Sequence, residues 1–386
     1  MKRAIFDDEH LAFRQLCHDF LLREAAPHTA EWEAAGIVDR LIWKQAGETG
    51  LLGFEVPEEF GGAGIKDFRY NAILSEEITA TGSVGVGFTL HNDICAPYLL
   101  TLTNDEQKAR WLPGFASGEL ITAIGMTEPS TGSDLQAIRT TARPATNAEG
   151  GGDGWILNGS KTFITNGIHS DLVIVVAKTD PEAGHRGMSL LVVERGMPGF
   201  ERGRNLAKAG QHAQDTAELF FSDVHVPRAN LLGEEGRGFI YLMENLPQER
   251  LSIAVAAVAG MERAIELTRA YASERTAFGK PVGTFQASRF AIAEMVTKTR
   301  AARSYVDQCI LSLNVGDLTA DEAAGVKYWT TDVLAEVADA AVQLHGGYGY
   351  MDEYEVSRIW RDARVTRIYG GTNEIMKEIV GRSLGF

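Results

Sequence analysis

Cysteine is scarce in this chain of 386 residues. Its three cysteines, Cys17, Cys95 and Cys309, lie far apart, which excludes a CxxC metal or redox motif. An odd number of widely spaced cysteines is typical of proteins from reducing compartments. We therefore expect a reducing compartment and no bound metal.

Long hydrophobic runs are also absent. The apolar run at Leu172–Ala177 is far too short to span a bilayer. The N-terminal stretch MKRAIFDDEHLAF reaches acidic residues by Asp7, and no apolar h-region of a secretory signal follows. An arginine-rich transit peptide is missing as well. These absences predict a bacterial cytoplasmic protein that does not enter a membrane, with a processed mitochondrial protein as the alternative.

Clusters of basic residues are missing too. The chain has 37 Lys and Arg against 52 Asp and Glu, which gives a net charge of −15. Such acidity disfavours binding to nucleic acid and to anionic membranes. Hydrophobic residues make up 45% of the chain, an ordinary value for a globular protein, and the length allows two or three domains.

The patterns that are present divide the chain into regions. Residues 1–120 have apolar side chains at helical spacings of three and four, and Asn104 or Asp105 is suited to cap one of the helices. Residues 121–232 contain about six short β-rich runs separated by turn residues. Within them, Asn158-Gly159 is a strong signal for a hairpin turn.

Helical patterning returns in residues 233–386. Pro247 suits a first helical turn, so we predict that the first long helix begins there. Two more long helices are predicted from about Phe285 to Asn314 and from about Ala320 to Leu344, with a short fourth helix after Thr372. The predicted fold is α+β: an N-terminal helical domain (1–120), a middle antiparallel β domain (121–232) and a C-terminal antiparallel helical bundle (233–386).

Two glycine-containing motifs are candidates for ligand binding. MTEPSTGSD at Met126–Asp134 combines hydroxyl groups and glycine at a strand end, which suits hydrogen bonds to a flavin or a phosphate. An ordinary polar β-turn is the alternative. QLHGGYGY at Gln343–Tyr350 ends a helix and follows no strand, so it indicates a helix-terminating turn and not a Rossmann loop, with His345 in a structural role.

A third motif, RIYGGTNEIM at Arg367–Met376, has two adjacent glycines followed by a threonine and an asparagine that favour a helix start. This loop is suited to hold a ligand at a helix N-terminus, yet it carries no acid or base ahead of the helix. Glu249 in PQERLSIA, judged by its position alone, is an ordinary acid in the first turn of a helix.

Taken together, these segments resemble the acyl-CoA dehydrogenase family over nearly the whole chain. MTEPSTGSD is similar to the family signature TEPxAGSD, with Thr131 in place of the usual alanine. The other matching segments follow in the family order: GSKTFITNG, QDTAELFFSDVHVP, ERTAFGKPVGTFQ, QLHGGYGY and IYGGTNEIMKEIVGR. ENLPQERL, QDTAELFF and YGGTNEIMKE look closest to the long-chain type of the family.

The resemblance implies a FAD-dependent oxidation of an acyl-CoA to the trans-2-enoyl-CoA. In the family, a carboxylate removes an α-proton while a hydride leaves the β-carbon for flavin N5. Electrons then pass to an electron-transfer flavoprotein, and the usual assembly is a homotetramer, a dimer of dimers. Similarity to the long-chain type implies a straight medium-to-long acyl chain.

The resemblance also implies where the catalytic base lies. Many members carry a glutamate as Y-E-G-T in the last loop, where this chain has Y-G-G-T at residues 369–372. Long-chain and isovaleryl members place it instead in an "ER" pair of the first long C-terminal helix, which matches Glu249 and Arg250. Glu249 is therefore the predicted base, and the backbone N–H of Gly370 is the predicted donor to the thioester oxygen.

The same motifs imply further site residues. Flavin contacts are predicted at Met126, Thr127, Gly132, Ser133, Phe163, Thr165, Thr372 and Glu374. Contacts to the FAD of a neighbouring subunit are predicted at Arg275, Phe278, Gln286, Gln343 and Gly347. Substrate contacts are predicted at Ser133, Gln248, Arg250 and Gly371. Two positions depart from other members: Phe163 replaces a tryptophan, and Ala277 replaces a threonine, so one hydrogen bond is lost.

Four alternatives remain open. An isovaleryl-type enzyme for short branched chains shares the base position but matches the last loop less well. An acyl-carrier-protein thioester presents the same reacting end as acyl-CoA. A non-catalytic flavin- or thioester-binding protein would lack a working base. An acyl-CoA oxidase would pass electrons to oxygen, but 386 residues without an added C-terminal domain favour the dehydrogenase.

Overall fold

The computed structural model describes residues 3–146 and 153–386. The N-terminal part is helical, and three of its helices begin after residues whose side chains cap them. Asp7, Asp67 and Asn104 each accept a backbone N–H of the first turn, and Asn104 with Gln107 forms a capping box. The helices are α1 (Asp8–Glu24), α2 (Thr29–Ala35), α3 (Leu41–Glu48), α4 (Phe68–Ala80), α5 (Ala96–Thr101) and α6 (Asp105–Ser117).

The described residues of the middle part form an eight-stranded sheet. Its strands are β1 (Thr122–Gly125), β2 (Thr141–Pro144), β3 (Gly154–Thr165), β4 (Leu172–Lys178), β5 (Met188–Glu194), β6 (Phe200–Asn205), β7 (Thr216–Pro227) and β8 (Leu231–Leu232). They follow the order β6-β7-β3-β2-β4-β5-β8, with β1 paired to β4. The pairs β1–β4 and β2–β4 are parallel, and the other pairs are antiparallel.

The prediction of a hairpin turn at Asn158-Gly159 is wrong. Both residues lie inside β3, where the pairing with β7 shifts register and forms a bulge. The Asn158 side chain pairs across to Asp223 of β7. A Cβ on Gly159 would lie 2.5 Å from Thr140 Oγ1, so the glycine permits close packing inside the sheet.

The C-terminal part is a helical bundle that also contains one helix not predicted from the sequence. Its helices are α7 (Gly238–Glu274), α8 (Gln286–Asn314), α9 (Ala320–His345), α10 (Glu355–Thr366) and α11 (Asn373–Ser383). A two-stranded ribbon, β9 (Thr276–Ala277) and β10 (Lys280–Pro281), joins α7 to α8. The short helix predicted after Thr372 is α11, whereas α10 was not foreseen.

The predicted start of α7 at Pro247 is also wrong, because this proline lies in the interior of the helix. Proline lacks the N–H that would bond to the preceding turn, which normally favours a helix start. Here Leu242 and Leu246 before the proline and Leu251 after it are all buried. Burial of apolar side chains on both sides outweighs the local cost and keeps one continuous helix.

Among residues 3–146 and 153–386, four buried hydrophobic clusters hold these parts together. One fills the C-terminal bundle around α7, and one lies among the N-terminal helices. A third lies on one face of the sheet, and the fourth joins α5 and α6 to the other face and to the start of α7. Helix α7 therefore contacts all three parts of the chain, and the candidate site lies along it.

Candidate functional site

Glu249 occupies a nearly dry position on α7, where its side chain is 5% exposed. Burial raises the pKa of Glu249 to about 7, although a hydrogen bond from Tyr98 and the charge of Arg250 both act to lower it. The Tyr98 hydroxyl donates to Glu249 Oε1 at 3.0 Å. The carboxyl group is thus balanced between its protonated and ionised forms near neutral pH, as a general base should be.

The segment that carries Tyr98 is fixed to α7 at several points. It consists of a π-helical turn, Leu90–Cys95, followed directly by α5. Gln248 Nε2 donates to the Asp93 carbonyl oxygen at 2.8 Å, and Ser252 Oγ donates to Asp93 Oδ2 at 2.5 Å. Successive turns of α7 on either side of the candidate base are therefore tied to the same N-terminal segment.

The MTEPSTGSD loop is fixed by hydrogen bonds within it and by a buried lysine from β3. Glu128 and Thr131 exchange backbone hydrogen bonds of 2.9 and 3.1 Å. The buried ammonium of Lys161 donates to Glu128 Oε1 at 2.8 Å and to the Met126 carbonyl at 3.1 Å. Burial lowers the pKa of Lys161 to about 8, against the effect of the Glu128 carboxylate. This buried ion pair fixes the loop against β3.

Phe163 in β3 has an unusual conformation for a strand residue. Its φ angle is 60°, in the left-handed region, and its ring is 69% exposed. A bulky residue in that region is strained, and such strain is found most often at ligand sites. The ring lines the cavity described below and offers it a flat aromatic face.

The loop at residues 367–376 is anchored to α9 by a buried lysine. Lys327 Nζ donates to the Gly371 carbonyl at 2.8 Å and to Asn373 Oδ1 at 3.0 Å. Gly370 has a φ of 64°, and a Cβ there would lie 2.3 Å from Cδ1 of Ile253. Ile253 is one turn beyond Glu249 on the same face of α7, so this loop crosses the helix beside the candidate base.

A cavity of about 600 Å³ lies where the three parts of the chain meet. Ten of the predicted site residues line it: Met126, Thr127, Gly132, Ser133, Phe163, Thr165, Glu249, Arg250, Gly370 and Gly371. Arg250 is buried there, and its Nε has no hydrogen-bond partner among the described residues. A buried N–H donor without a partner, beside an open cavity, is suited to a polar ligand group.

Three other predicted residues lie beside the cavity without lining it. Gln248 is bonded to the Tyr98 segment, as described above. Thr372 caps α11 by accepting the backbone N–H of Ile375, and Glu374 is exposed in the first turn of that helix. A hydrogen bond to its own backbone lowers the pKa of Glu374.

The five residues predicted to reach a neighbouring FAD lie far from the cavity, and all are exposed: Arg275, Phe278, Gln286, Gln343 and Gly347. They gather at one end of the bundle, where α7 ends, α8 begins and α9 ends. The exposed Phe278 ring also has a left-handed φ, of 50°. Along α7, Glu249 and Arg275 are separated by 26 residues, or about 39 Å.

Comparison with known proteins agrees with this architecture. Three family models match in order: acyl-CoA dehydrogenase N-terminal domain at residues 7–119, middle domain at 123–224 and C-terminal domain at 236–385. The chain belongs to the acyl-CoA dehydrogenase family. Members of this family are flavin-dependent oxidoreductases, so the predicted fold class and enzyme class are confirmed.

Individual relatives cover nearly the whole of this acyl-CoA dehydrogenase. The mitochondrial long-chain specific acyl-CoA dehydrogenase of Sus scrofa is 49% identical over 99% of this chain and 88% of its own. The mitochondrial isovaleryl-CoA dehydrogenase of Oryza sativa is 36% identical over 98% of this chain and 92% of its own. A crystal structure of acyl-CoA dehydrogenase from Geobacillus kaustophilus aligns over all of both chains, with a TM-score of 0.96 and 51% identity.

Several residues that shape the site of this acyl-CoA dehydrogenase were not found from the sequence. They are Tyr98, Asp93, Ser252, Lys161 and Lys327. Only Lys327 carries a local signal, because Ala323 and Thr331, four residues to either side, share its buried helix face. Within residues 3–146 and 153–386, no helix is suited to cross a bilayer, and no group of three His, Cys, Asp or Glu side chains is placed to hold a metal ion.

Proposed function

We propose that this acyl-CoA dehydrogenase oxidises straight medium-to-long-chain acyl-CoA to trans-2-enoyl-CoA, with Glu249 as the base that removes the α-proton. The observation that carries the proposal is the buried Glu249 carboxyl on the cavity wall, beside the turn at residues 369–372, which has no acid. The α-proton passes to a Glu249 oxygen, and the electron pair moves toward the thioester oxygen. The Gly370 N–H is the proposed donor to that oxygen, a contribution of roughly 3 kcal/mol to the transition state.

The other acids on the cavity wall are poor candidates for the base. Glu355 accepts two hydrogen bonds of 2.8 Å from Arg263, and this pair lies on α10 and the distal part of α7. Asp362 accepts the backbone N–H of Gln211. Asp134 is exposed at the end of the MTEPSTGSD loop. Of these four acids, Glu249 is the one whose side chain is buried, and burial raises its pKa to about 7.

FAD is the proposed cofactor, and the residues on the cavity wall fit a flat, polar ring system. The exposed, strained Phe163 ring offers a stacking surface, while Thr127, Ser133 and Thr165 offer hydroxyl groups. A Cβ built on Gly132 would lie 4.0 Å from the Thr127 methyl, so the described residues leave space for a ligand beside this glycine. When bound, FAD supplies the acceptor for the hydride that leaves the β-carbon.

The exposed end of the bundle supports a proposed oligomer. Arg275 lies about 39 Å from the base along α7, and Phe278, Gln286, Gln343 and Gly347 gather at the same end of the bundle, so these residues cannot surround the same flavin ring. We assign them to the FAD of a neighbouring subunit, which requires at least a dimer; a homotetramer is the family pattern. An electron-transfer flavoprotein as acceptor rests on family resemblance alone, and a cytoplasmic location stays a prediction.

The shape of the cavity supports a long straight acyl chain. Cavity-lining residues continue along α7 from Glu249 to Gly260, eleven residues or about 16 Å of helix. The α7 residues on this stretch include Ala256 and Ala257, which take little space, and apolar side chains from other elements also line the cavity: Ile78, Leu90, Ile94, Leu334 and Ile359. A short branched chain would fill only the first turn beyond the base.

Anaerobic titration of the purified FAD-bound protein with acyl-CoAs of increasing length tests this function. We expect bleaching of the flavin absorbance by straight medium-to-long chains and weak or slow bleaching by isovaleryl-CoA. Preferential bleaching by isovaleryl-CoA would replace the straight-chain assignment with the branched one. A matched acyl-carrier-protein thioester in the same assay distinguishes the two carriers.

Two other results would overturn the enzymatic proposal itself. Binding of acyl-CoA without any bleaching would indicate a flavin- or thioester-binding protein. Rapid peroxide formation in air, without an electron-transfer flavoprotein, would indicate an oxidase.

A further inference from the structure

We infer that Tyr98 is a positioning residue for the reaction: its hydroxyl holds Oε1 of Glu249 and leaves the other carboxylate oxygen to take the substrate proton. This inference rests on the proposed role of Glu249 as base. Tyr98 lies on α5 in the N-terminal part and is fully buried, and its hydroxyl is 3.0 Å from Glu249 Oε1. Among the hydrogen bonds of the described residues, none reaches Glu249 Oε2.

The direction of this hydrogen bond is fixed by chemistry. Burial and the neighbouring Glu249 raise the pKa of Tyr98 well above its usual value, so the phenol keeps its proton and donates it. A donated hydrogen bond stabilises the ionised carboxylate more than the neutral acid. Tyr98 thereby opposes the effect of burial and keeps a larger fraction of Glu249 ionised at neutral pH.

The other titratable or charged groups near Glu249 do not replace this hydrogen bond. Arg250 acts through its charge and makes no hydrogen bond to the carboxylate. Burial raises the pKa of the Cys95 thiol to about 12, so it is neutral. Asp93 is bonded to Ser252 and Asn71, and burial raises its pKa to about 7. Because Asp93 titrates in the same range as Glu249, a pH profile of the wild type alone cannot assign the base.

The hydroxyl is not needed to dock the Tyr98 segment. Gln248 and Ser252 hold this segment to α7 through Asp93, and the Tyr98 ring packs in the apolar cluster around α5 and α6. Tyr98→Phe keeps the ring and both of these ties, so we expect the variant to fold and to hold FAD. It removes only the donor to Glu249.

The role of Tyr98 is tested with an assay that reports removal of the α-proton without hydride transfer. In a 3-thiaacyl-CoA, sulfur replaces the β-carbon, so the α C–H bond can break, with its proton going to Glu249 and its electron pair staying on the thioester enolate, but no hydride can leave. Exchange of the α-hydrogens for solvent deuterium then reports the base directly. The experiment compares this exchange rate against pH in the wild type, Tyr98→Phe and Tyr241→Phe, all with FAD bound.

For Tyr98→Phe, we expect the acidic limb of the exchange profile to move up by roughly one pH unit, because a hydrogen bond to a charged group is lost. At pH values below the limb, exchange should be about tenfold slower than in the wild type. Tyr241→Phe is the matched control: its hydroxyl accepts the Glu234 N–H at 3.1 Å in the same apolar cluster, away from the base. Its limb should stay at the wild-type position.

A second substitution tests the same contact in the opposite direction. 3-Fluorotyrosine introduced at position 98 keeps the ring and the hydroxyl but makes the phenol a stronger donor, so the limb should move down. An unmoved limb in Tyr98→Phe, or an equal shift in Tyr241→Phe, would overturn the inference. Persistent exchange in Glu249→Gln would instead overturn the proposed base, so the two failures are distinguishable.

Discussion

Helix α7 and the loop at residues 367–376 border the same cavity, but they present different chemical groups to it. The helix contributes a side chain: the Glu249 carboxyl, buried in the interior of a 37-residue helix. The loop contributes its backbone, at Gly370 and Gly371, whose φ angles of 64° and 91° suit glycine. A long helix fixes a side chain well, whereas a glycine loop can turn backbone N–H groups toward a ligand.

The strongest test of this difference, a side chain from α7 and backbone groups from the loop, moves the carboxyl group from α7 to the loop at residues 367–376. In a Glu249→Gln background, we expect Gly370→Glu to fail as a replacement, because a side chain at a φ of 64° strains the backbone and its Cβ would also displace the terminal methyl of Ile253. Flavin reduction in anaerobic stopped flow should stay about 10²–10⁴-fold below the wild type. Adding Ile253→Ala removes the colliding atoms, and partial recovery is expected.

Gly381→Glu in the same Glu249→Gln background is the control for an added acid, because Gly381 has open space around it and lies outside the cavity. It should give no recovery. If Gly370→Glu restored the full rate of flavin reduction without the change at Ile253, the loop would accept a carboxylate freely. The structure would then give no reason for the acid to lie on α7.

A second test measures how much the burial of the Glu249 carboxyl lowers the free energy of unfolding at neutral pH. Burial raises the folded-state pKa of Glu249 from 4.5 to about 7, so its neutral form stabilises the fold fully below pH 4.5. That stability is lost as the pH rises through 7. The difference of 2.5 units corresponds to about 3 kcal/mol, so Glu249→Gln should gain stability over the wild type by up to that amount between pH 5 and pH 8.

Thermal unfolding of the FAD-bound proteins at both pH values measures this gain. Glu244→Gln on the same helix is the control, because Glu244 is exposed and should leave the pH dependence unchanged. Parallel profiles for the wild type and Glu249→Gln would mean that the carboxyl is not held in a dry environment.

A third test weakens the loop and leaves the helix intact. Lys327→Met removes the donor to Gly371 and Asn373, which should lower the free energy of unfolding by about 1–3 kcal/mol. We also expect kcat/KM to fall about tenfold, because the backbone donor loses its position. The acidic limb of the pH profile should not move, since Lys327 makes no hydrogen bond to Glu249.

Lys298→Met is the matched control, because Lys298 forms an exposed ion pair with Glu336 on neighbouring helices. Its effect on stability should lie within about 0.5 kcal/mol. If Lys327→Met behaved like this control, the buried lysine would not be what fixes the loop.

Local sequence signals predicted the main regions of the fold but failed at two positions. Periodicity and capping signals such as Asn104 are local, and they identified the helical, β and helical regions correctly. Asn158-Gly159 and Pro247 are also local signals, yet both misled. At Asn158-Gly159, the pairing of β3 with β7 determines the structure, and at Pro247, burial of the flanking leucines does. A short window of sequence shows neither of these tertiary interactions.

At the candidate site, family resemblance showed that the last loop lacks the usual glutamate. It also showed that Glu249 matches the alternative position of the base. Tyr98 was not, because its role depends on α5 lying beside α7, a contact between residues 151 positions apart. Lys161 and Lys327 act on backbone carbonyls of distant loops, so they follow from the packed structure. Family resemblance thus predicted many residues that line the cavity, but it did not predict the residues that position one another.

The central claim is that Glu249 removes the α-proton. Deuterium exchange into a 3-thiaacyl-CoA by FAD-bound Glu249→Gln tests it most directly, because the assay isolates proton transfer from hydride transfer. The account predicts that the variant binds FAD and the thioester while exchange falls by about 10²–10⁴-fold. Exchange at the wild-type rate would contradict it and assign the base to another residue.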